Sequence, residues 1–391
     1  MRIGIDGIPL ASPKTGIGHY TFELARSLAQ LAPEEHFELL APVPIELSTS
    51  VVDPAENDLP ANLRSVHAPV NTLRRRWWTI GLPLYVQQNG LALFHGTNYN
   101  VPLWQRCPTI VTVHDLSLLL HPDTHREDLV KRARWRLPRM TRVASHIITD
   151  SESVKTEVRD HLGVPATKIT TVPLAPRKTF HPVSAAESRE TLRRLGAEDK
   201  FILFVGTVEP RKNLITLVRA FDELLRTMPL GPQLVITGQK GWLTDGLYDS
   251  VEKSAVSKRI LFTGYVTDVD LRALYSACSV AVYPSLYEGF GLPPLEAMAC
   301  GAPVITSQIP VMMETASGAA RLVDPTSVHE LTAALVELLT DEGAREKLRA
   351  LGLKRAAEYT WERTASQTMD VYREVLARPQ FRKKVGRQGH L

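Results

Sequence analysis

Two glutamates flank a glycine-rich turn in residues 283–301, which have the sequence YPSLYEGFGLPPLEAMACG. Glu288 and Glu296 have seven residues between them. Carboxylates accept hydrogen bonds from sugar or ribose hydroxyls, so both side chains are candidate ligand contacts. Gly289 and Gly291 lie between them and let the backbone approach a ligand closely, because neither residue has a Cβ atom.

Two prolines follow this turn. Pro293 and Pro294 favour the start of a helix, because proline is well tolerated in the first helical turn. A helix start presents free N–H groups and a partial positive charge, which suit a diphosphate. The segment therefore predicts a site for an anionic sugar phosphate. The alternative is a plain glycine–proline connection with two surface glutamates.

A pair of cations follows a second apolar run. The segment FILFVGT has the pattern of a buried strand, and Arg211 and Lys212 come shortly after it. Two cations at the carboxyl end of a strand can neutralise a diphosphate, most of all as charge builds up on a leaving group. A solvated basic turn is the alternative.

The first half of the chain contributes weaker signals. Gly16-Ile17-Gly18 follows the first predicted strand, although a lone Gly-x-Gly is equally typical of a tight turn. His114-Asp115 ends the run TIVTVHD, where a histidine can serve chemistry or simply a structural hydrogen bond. His95, in FHGTNYN, is a further candidate of the same kind.

Residues 283–301 resemble the donor-site signature of the retaining family-four glycosyltransferases, which have the GT-B architecture. In that family two glutamates at this spacing flank a glycine-rich turn. The resemblance implies that Glu288 contacts the hydroxyls of the transferred sugar and that Glu296 holds the ribose of the nucleotide. By the same resemblance, the donor-binding residues of the turn are Gly289, Phe290, Gly291, Leu292 and Glu296.

Three other motifs share the resemblance. Lys212 matches the family's lysine, and Arg211 belongs to the form Glu-Pro-Arg-Lys-Asn, which is common in one branch. Many relatives also have an arginine directly after the strand's glycine, where this chain has Thr207. The resemblance implies that the loop of Gly16 and Gly18 approaches the diphosphate or the acceptor, and that His114 reaches the donor sugar.

Alternating strands and helices must position these residues. Short β-rich runs alternate with amphipathic helical stretches from the first residue, which predicts parallel sheets covered on both faces. The proline-rich stretch VPLAPRKTFHPVSAAES interrupts the alternation, which then restarts. We therefore expect an α/β protein with two Rossmann-like, doubly wound domains facing each other across a cleft. The predicted boundaries are 1–175 on the acceptor side, a linker at 176–190, a donor domain at 191–360, and a C-terminal helix and tail at 361–391 that return to the first domain.

Asp268-Val269-Asp270 has the spacing of a metal-binding Asp-x-Asp motif. It also precedes the helical stretch LRALYSA, so one aspartate is more simply a helix cap. In the family resembled, this loop, which includes Val266, lies near the nucleotide base and binds no catalytic metal. We therefore expect no metal and no cofactor, with Arg211 and Lys212 supplying the positive charge.

The resemblance also indicates a reaction. A hexose would move from a nucleotide diphosphate to an acceptor hydroxyl with retained anomeric configuration, and the departing phosphate would accept the acceptor's proton. Sequences with this combination of motifs resemble mannosyltransferases of bacterial surface polysaccharides, so GDP-mannose is the first expectation, with a UDP-hexose or dTDP-rhamnose as the alternative. The acceptor would be a glycan or a polyprenyl-diphosphate-linked saccharide.

Proteins of other classes share parts of this pattern. A dinucleotide-dependent oxidoreductase would need Gly-x-Gly-x-x-Gly, of which GIGHYTF has two glycines. A GT-B sugar-nucleotide epimerase would not need the turn of Glu288 and Glu296. A non-catalytic assembly scaffold is expected to have lost Glu288 or Lys212, and both are present.

Composition further restricts the class of protein. The 391 residues are 44% hydrophobic and 23% charged, as in an ordinary globular protein, and the net charge of +4 is too small to indicate nucleic-acid binding. The start MRIGIDGIPL lacks the apolar core of a secretory signal, and three cysteines form no evident pairing, so a cytoplasmic protein is expected. The motif Arg74-Arg75-Arg76-Trp77-Trp78, the cations of residues 131–142 and the basic tail from Arg382 suit an anionic membrane surface, and a packed core or a solvated helix is the alternative.

Overall fold

The structure, a computed structural model, describes residues 1–11, 16–45, 59–67 and 76–381. Within these residues the chain forms two α/β units. Unit 1 contains the described parts of Met1–Leu116, Arg132–Leu174 and Thr360–Leu391, and unit 2 contains Ser117–Lys131 and Ala175–Tyr359.

The strands are β1 Arg2–Asp6, β2 His36–Ala41, β3 Leu63–His67, β4 Leu93–Gly96, β5 Thr109–Val113, β6 His146–Thr149, β7 Ile169–Thr171, β8 Phe201–Val205, β9 Gln233–Thr237, β10 Ile260–Gly264, β11 Val280–Tyr283, β12 Val304–Ser307 and β13 Arg321–Val323. The helices are α1 Gly16–Leu31, α2 Leu82–Asn89, α3 Ser117–Leu120, α4 Glu127–Val143, α5 Glu152–Leu162, α6 Ala185–Leu195, α7 Leu214–Thr227, α8 Asp245–Glu252, α9 Asp268–Ala277, α10 Leu292–Ala299, α11 Pro310–Thr315, α12 Val328–Thr340, α13 Glu342–Ala356 and α14 Trp361–Ala377.

The sheet of unit 1 is parallel, with the strand order β3-β2-β1-β4-β5-β6-β7 over the described residues. Every residue of β4, β5 and β6 is buried, as expected where helices cover both faces of a parallel sheet. Helix α14 packs on α1, where Trp361 lies 6.3 Å from Tyr20 between ring centroids. The C-terminal helix therefore belongs to the unit that the first residues build.

The sheet of unit 2 repeats the same winding. Its described strands are parallel in the order β10-β9-β8-β11-β12-β13. The strand order reverses between β8 and β11, where Val280 pairs with Ile202. Ligands of doubly wound sheets bind outside the carboxyl ends of the strands at such a reversal. The expected α/β fold with two doubly wound sheets is confirmed.

A short segment from the first half of the chain, Ser117–Lys131, packs within unit 2. The indole Nε1 of Trp242 donates to the carbonyl oxygen of Thr124 at 2.7 Å, and His125 stacks on the Trp242 ring. The His121 ring lies 4.9 Å from that of Tyr287. The predicted boundaries do not set this segment apart, because no change of composition or periodicity marks it.

Candidate active site

The candidate site of unit 2 lies at the carboxyl ends of β8 and β11. A 3₁₀ turn, Pro210–Lys212, follows β8, and the loop of Glu288 follows β11. These strands are neighbours in the sheet, so residues that are about 75 positions apart in sequence meet at one edge. The fold therefore brings the predicted cations and the predicted glutamate together.

Hydrogen bonds from Asn213 connect the turn after β8 with the loop after β11. Its backbone has φ 57°, a left-handed conformation that asparagine tolerates better than most residues. Its side-chain amide donates to the carbonyl oxygens of Pro284 at 3.0 Å and Pro325 at 2.7 Å. The backbone N–H of Leu286 donates to the carbonyl of Arg211 at 2.9 Å. Sequence reasoning included Asn213 in the Glu-Pro-Arg-Lys-Asn motif but did not predict this role.

The carboxylate of Glu288 is the centre of a buried ionic cluster. Lys212 Nζ donates to its Oε1 at 2.6 Å, and Arg211 Nη1 donates to its Oε2 at 3.0 Å. Ser285 Oγ also donates to Oε1, at 2.7 Å. Arg211 Nη2 donates to Glu209 Oε1 at 2.6 Å, so two carboxylates face two cations. Sequence reasoning did not single out Ser285 or Glu209.

This cluster decides the charge of Glu288. Burial alone would raise the pKa of its carboxyl, but the charges of Lys212 and Arg211 outweigh burial and lower the pKa from 4.5 to about 2. Glu288 is therefore ionised at neutral pH. An ammonium has three N–H donors and Glu288 accepts from one of them, so Lys212 is also equipped to contact an anionic ligand.

The glycine turn leads directly into α10. Gly291 is the N-cap of α10 with φ +91°, a backbone conformation that favours glycine, and a Cβ there would lie 2.8 Å from Met312 Cε, which would have to shift. Helix α10 begins at Leu292 with a proline in its first turn, as the sequence predicts. The Phe290 ring is buried and packs edge-on against Tyr359 at 5.7 Å. The turn thus has the tight backbone path and the helix start expected of it.

Glu296 lies inside α10 and has different surroundings. Its Oε1 is 3.5 Å from Arg177 Nε, and Arg177 Nη1 donates to Asp268 Oδ2 at 2.5 Å. Burial raises the pKa of Glu296 from 4.5 to about 7, although the charge of Arg177 opposes that rise. No motif pointed to Arg177, which lies in the proline-rich stretch that the sequence marked as a linker.

The aspartates of the Asp-x-Asp motif are bonded to protein groups. Asp268 pairs with Arg177, while Asp270 completes the N-terminal cap of α9 and pairs with Arg194. The N-cap residue is Thr267, whose Oγ1 accepts from the N–H of Asp270 at 3.2 Å. Val266 precedes this cap and is half-buried. In the described part of the chain, no three histidine, cysteine, aspartate or glutamate side chains are grouped as metal ligands would be.

His114 of unit 1 lies directly after β5 and has both ring nitrogens bonded. Nδ1 lies 2.7 Å from Asp150 Oδ2, and Nε2 lies 2.8 Å from the carbonyl oxygen of Thr97. A carbonyl only accepts, so Nε2 carries a proton. Burial disfavours the charged ring, but Asp150 and the Thr97 carbonyl raise the pKa of His114 above its ordinary value. Asp150 has no distinguishing sequence motif, so only the fold identifies it as a partner.

The other candidate site residues of unit 1 lie either at the surface or in the core. Gly16 is exposed at the first position of α1, and a Cβ there would meet nothing within 4 Å, whereas Gly18 is buried. His95 is fully buried and lies 2.7 Å from the Tyr372 hydroxyl and 2.8 Å from Thr112 Oγ1. Burial lowers the pKa of His95 to about 3. His95 is therefore a neutral structural residue of the core.

The tryptophans predicted for a membrane surface are packed instead. Trp77 is 3% exposed in a cluster with Leu82 and Phe94, and Trp78 packs edge-on against Phe94. The packed alternative therefore holds for Trp77, and Trp78 is partly buried against the same cluster. Arg74, Arg75 and the tail from Arg382 lie outside the described residues. No helix of the described ranges is long and apolar enough to cross a bilayer.

The two parallel, doubly wound units have the fold of the GT-B architecture, and one of them carries a cation–carboxylate cluster at its strand reversal, where such sheets bind ligands. The fold is also that of sucrose-phosphate synthase from Thermosynechococcus elongatus, with a TM-score of 0.77 over 96% of this chain and 99% of that one. The sequence identity of the two proteins is 22%, so this likeness concerns the fold alone.

Comparisons of sequence give the family. The model named Glycosyltransferase Family 4 matches residues 14–175, and Glycosyl transferases group 1 matches residues 188–355. O-antigen chain mannosyltransferase B of Escherichia coli is 32% identical over 95% of this chain and 100% of its own length. Serotype-specific mannosyltransferase WbdA of Escherichia coli is 30% identical over 72% of this chain, which spans 36% of that longer protein. The chain belongs to the group 1 glycosyltransferases, and is thus a nucleotide-sugar-dependent glycosyltransferase.

Proposed function

We propose that this glycosyltransferase moves mannose from GDP-mannose to an acceptor hydroxyl of a bacterial surface glycan, with retention of the anomeric configuration. The Glu288 cluster carries the proposal, because it places two cations and an ionised carboxylate at the strand reversal. Similarity to O-antigen chain mannosyltransferase B over its whole length supports mannose as the sugar.

Lys212 and Arg211 stabilise the charge that develops on the leaving diphosphate. Both side chains are held by Glu288 before the ligand arrives, so they need little reorganisation during the reaction. Glu288, kept ionised by the same cations, accepts hydrogen bonds from the hydroxyls of the mannose. The departing phosphate accepts the acceptor's proton, so the protein supplies positioning and charge rather than a covalent nucleophile.

Donor binding extends from the turn into α10. The backbone of Gly289, Phe290 and Gly291, with Leu292, holds the sugar, and Glu296 accepts from the ribose hydroxyls. Val266 lies beside the base. Gly16 and Gly18, in the first turn of α1, contact the diphosphate or the acceptor.

In this proposal His114 contacts the donor sugar, as the family resemblance implies. Asp150 and Thr97 occupy its two nitrogens, so a direct bond to the donor sugar would require one of these contacts to break.

No catalytic metal is part of the proposal. The two aspartates that could bind one are already paired with Arg177 and Arg194. Lys212 and Arg211 then supply the charge that a divalent ion provides in other sugar transferases.

A donor screen tests this function. The purified protein is incubated with a glycan acceptor and GDP-mannose, UDP-glucose or dTDP-rhamnose, with and without EDTA, and release of the nucleotide diphosphate is followed. We expect GDP-mannose to be the best donor and EDTA to have no effect. Preference for UDP-glucose or dTDP-rhamnose would contradict the proposed donor, and an inverted anomeric signal in the NMR spectrum of the product would contradict retention.

We further propose peripheral attachment to an anionic membrane, where a polyprenyl-diphosphate-linked acceptor would lie. In unit 1, Trp135 on α4 is 54% exposed, and Arg139 lies over its ring at 4.2 Å. The same helix carries three further exposed cations: Arg132, Arg134 and Arg142. Exposed tryptophan among arginines suits the headgroup region of an anionic bilayer.

Sedimentation with vesicles of increasing anionic lipid content tests the attachment. We expect the wild-type protein to pellet with anionic vesicles at low salt, and Trp135→Ser to pellet less. Tyr265→Ser removes an exposed aromatic ring of unit 2 and should pellet like the wild type. Wild-type protein that stays in the supernatant at every anionic fraction would contradict the attachment.

A further inference from the structure

Arg177 bridges two carboxylates from different helices of unit 2. It is 8% exposed, and its guanidinium bonds Asp268, at the start of α9, and Glu296, inside α10. The Phe180 ring lies 4.6 Å from its Cζ atom and covers the guanidinium. The planar fork of an arginine can bind two acceptors at once, which the point charge of a lysine does less well.

We propose that Arg177 is a positioning residue of the nucleotide site: it orients the Glu296 carboxyl and favours its charged form, so that the carboxylate can accept hydrogen bonds from the ribose hydroxyls. The inference rests on the proposed function, in which Glu296 contacts the ribose. Arg177 itself contacts no reacting atom in this account and acts through Glu296.

The surroundings of Glu296 explain why it needs this partner. A buried carboxylate without a cation takes up a proton rather than stay charged. Arg177 is the cation that lowers the pKa of Glu296 against burial. Other titratable groups that interact electrostatically with Glu296 carry no positive charge: Asp268, Tyr275, Tyr283 and Cys300.

The pH dependence of nucleotide binding separates this role from a merely structural one. GDP and UDP are titrated by calorimetry into the full-length wild type, Arg177→Gln, Glu296→Gln and the double variant, from about pH 6.5 to about pH 9. Ionisation of the nucleotide itself affects every variant alike, so differences between variants report the protein. Arg189→Gln, at an exposed position of α6, is the matched control and should bind as the wild type does.

We expect Arg177→Gln to weaken binding about fivefold near pH 7, since the loss of one favourable charge raises the pKa of Glu296 by about one unit and leaves a smaller share of the carboxyl ionised. The deficit should shrink toward high pH, where Glu296 ionises without help. In the Glu296→Gln background, Arg177→Gln should add no pH-dependent loss. A deficit that is equal at every pH, or one that persists in the Glu296→Gln background, would overturn the inference.

Arg177→Lys keeps the charge and guards against a variant that fails to fold. We expect a pH midpoint between those of the wild type and of Arg177→Gln, because an ammonium cannot bridge both carboxylates equally well. An unshifted midpoint with weakened binding would overturn the inference. Wild-type protein that binds neither GDP nor UDP would instead refute the proposed function, and this inference with it.

Discussion

Glu288 and Glu296 are two buried glutamates on one short stretch of unit 2, and their pKa values are shifted in opposite directions. The pKa of Glu288 falls to about 2, whereas that of Glu296 rises to about 7. Burial raises the pKa of both carboxyls and is the largest influence on each. What differs is the number of cations nearby and their distance.

Glu288 has Lys212 at 2.6 Å and Arg211 at 3.0 Å, together with a hydrogen bond from Ser285. Glu296 has Arg177 at 3.5 Å, and Arg177 is shared with Asp268. One glutamate is thus fixed as an anion, and the other changes charge near neutral pH. Two glutamates of the same sequence motif therefore differ in their charge near neutral pH, because the cations around them differ.

Removal of Lys212, a cation that keeps Glu288 ionised, should have the largest effect on catalysis. Lys212→Ala deletes a charge-assisted contact and is expected to cost about 2–4 kcal/mol of transition-state stabilisation, seen as lower kcat/KM with the best donor. Lys200→Ala removes an exposed lysine of the same unit and should be nearly silent. Turnover of Lys212→Ala at the wild-type rate would mean that the catalytic cation lies elsewhere.

The two glutamates should also have opposite effects on the stability of the ligand-free protein. Glu288 has a folded pKa of about 2 against 4.5 unfolded, so its stabilisation is present above pH 4.5 and is lost as pH falls toward 2. Glu288→Gln should therefore lower the free energy of unfolding at neutral pH by about 3 kcal/mol, with the difference vanishing in acid.

Glu296 has a folded pKa of about 7 against 4.5 unfolded, so its ionisation destabilises the fold above pH 7 and costs nothing below pH 4.5. Glu296→Gln should raise the free energy of unfolding above pH 7, by at most about 3 kcal/mol. Urea denaturation followed by tryptophan fluorescence at several pH values measures both variants, with the exposed Glu190→Gln as control. Changes of the same sign in the two variants would refute the comparison.

Alanine variants of the two glutamates should separate their roles in GDP binding and in turnover, with a smaller expected effect. Glu296→Ala should weaken GDP binding about tenfold, since a ribose contact exists before and during transfer. Glu288→Ala should lower kcat more than GDP affinity, because Glu288 holds the sugar rather than the nucleotide. Calorimetry and initial rates measure the two quantities, and equal losses of GDP affinity would contradict the assignment of roles.

The sequence predicts the regular parts of both units and the residues of the Glu288 turn. The run FILFVGT contains β8, SVAVYPS contains β11, and the paired prolines lie in the first turn of α10, because periodicity and proline act locally. Arg211 and Lys212 meet Glu288 because doubly wound sheets bring neighbouring strand ends together. The short strands β3, β7 and β13 carry too little pattern for such a prediction.

The partners of the site residues could not be predicted, because they depend on contacts distant in sequence. Arg177 meets Glu296 from 119 residues away, and Asp150 meets His114 from 36 residues away. Trp77 follows three arginines, a sequence that suits a membrane surface, yet its ring packs with Leu82 and Phe94. Exposed Trp135 lies on α4, where residue type alone does not distinguish a surface ring from a core ring.

Calorimetric titration of GDP in the presence of EDTA tests most directly the central claim that Lys212 and Arg211 supply the positive charge for the nucleotide diphosphate. We predict that the wild-type protein binds GDP with the same affinity with and without EDTA, and that Lys212→Ala binds it more weakly in both. Binding that EDTA abolishes and magnesium restores, with Lys212→Ala indistinguishable from the wild type, would contradict the account.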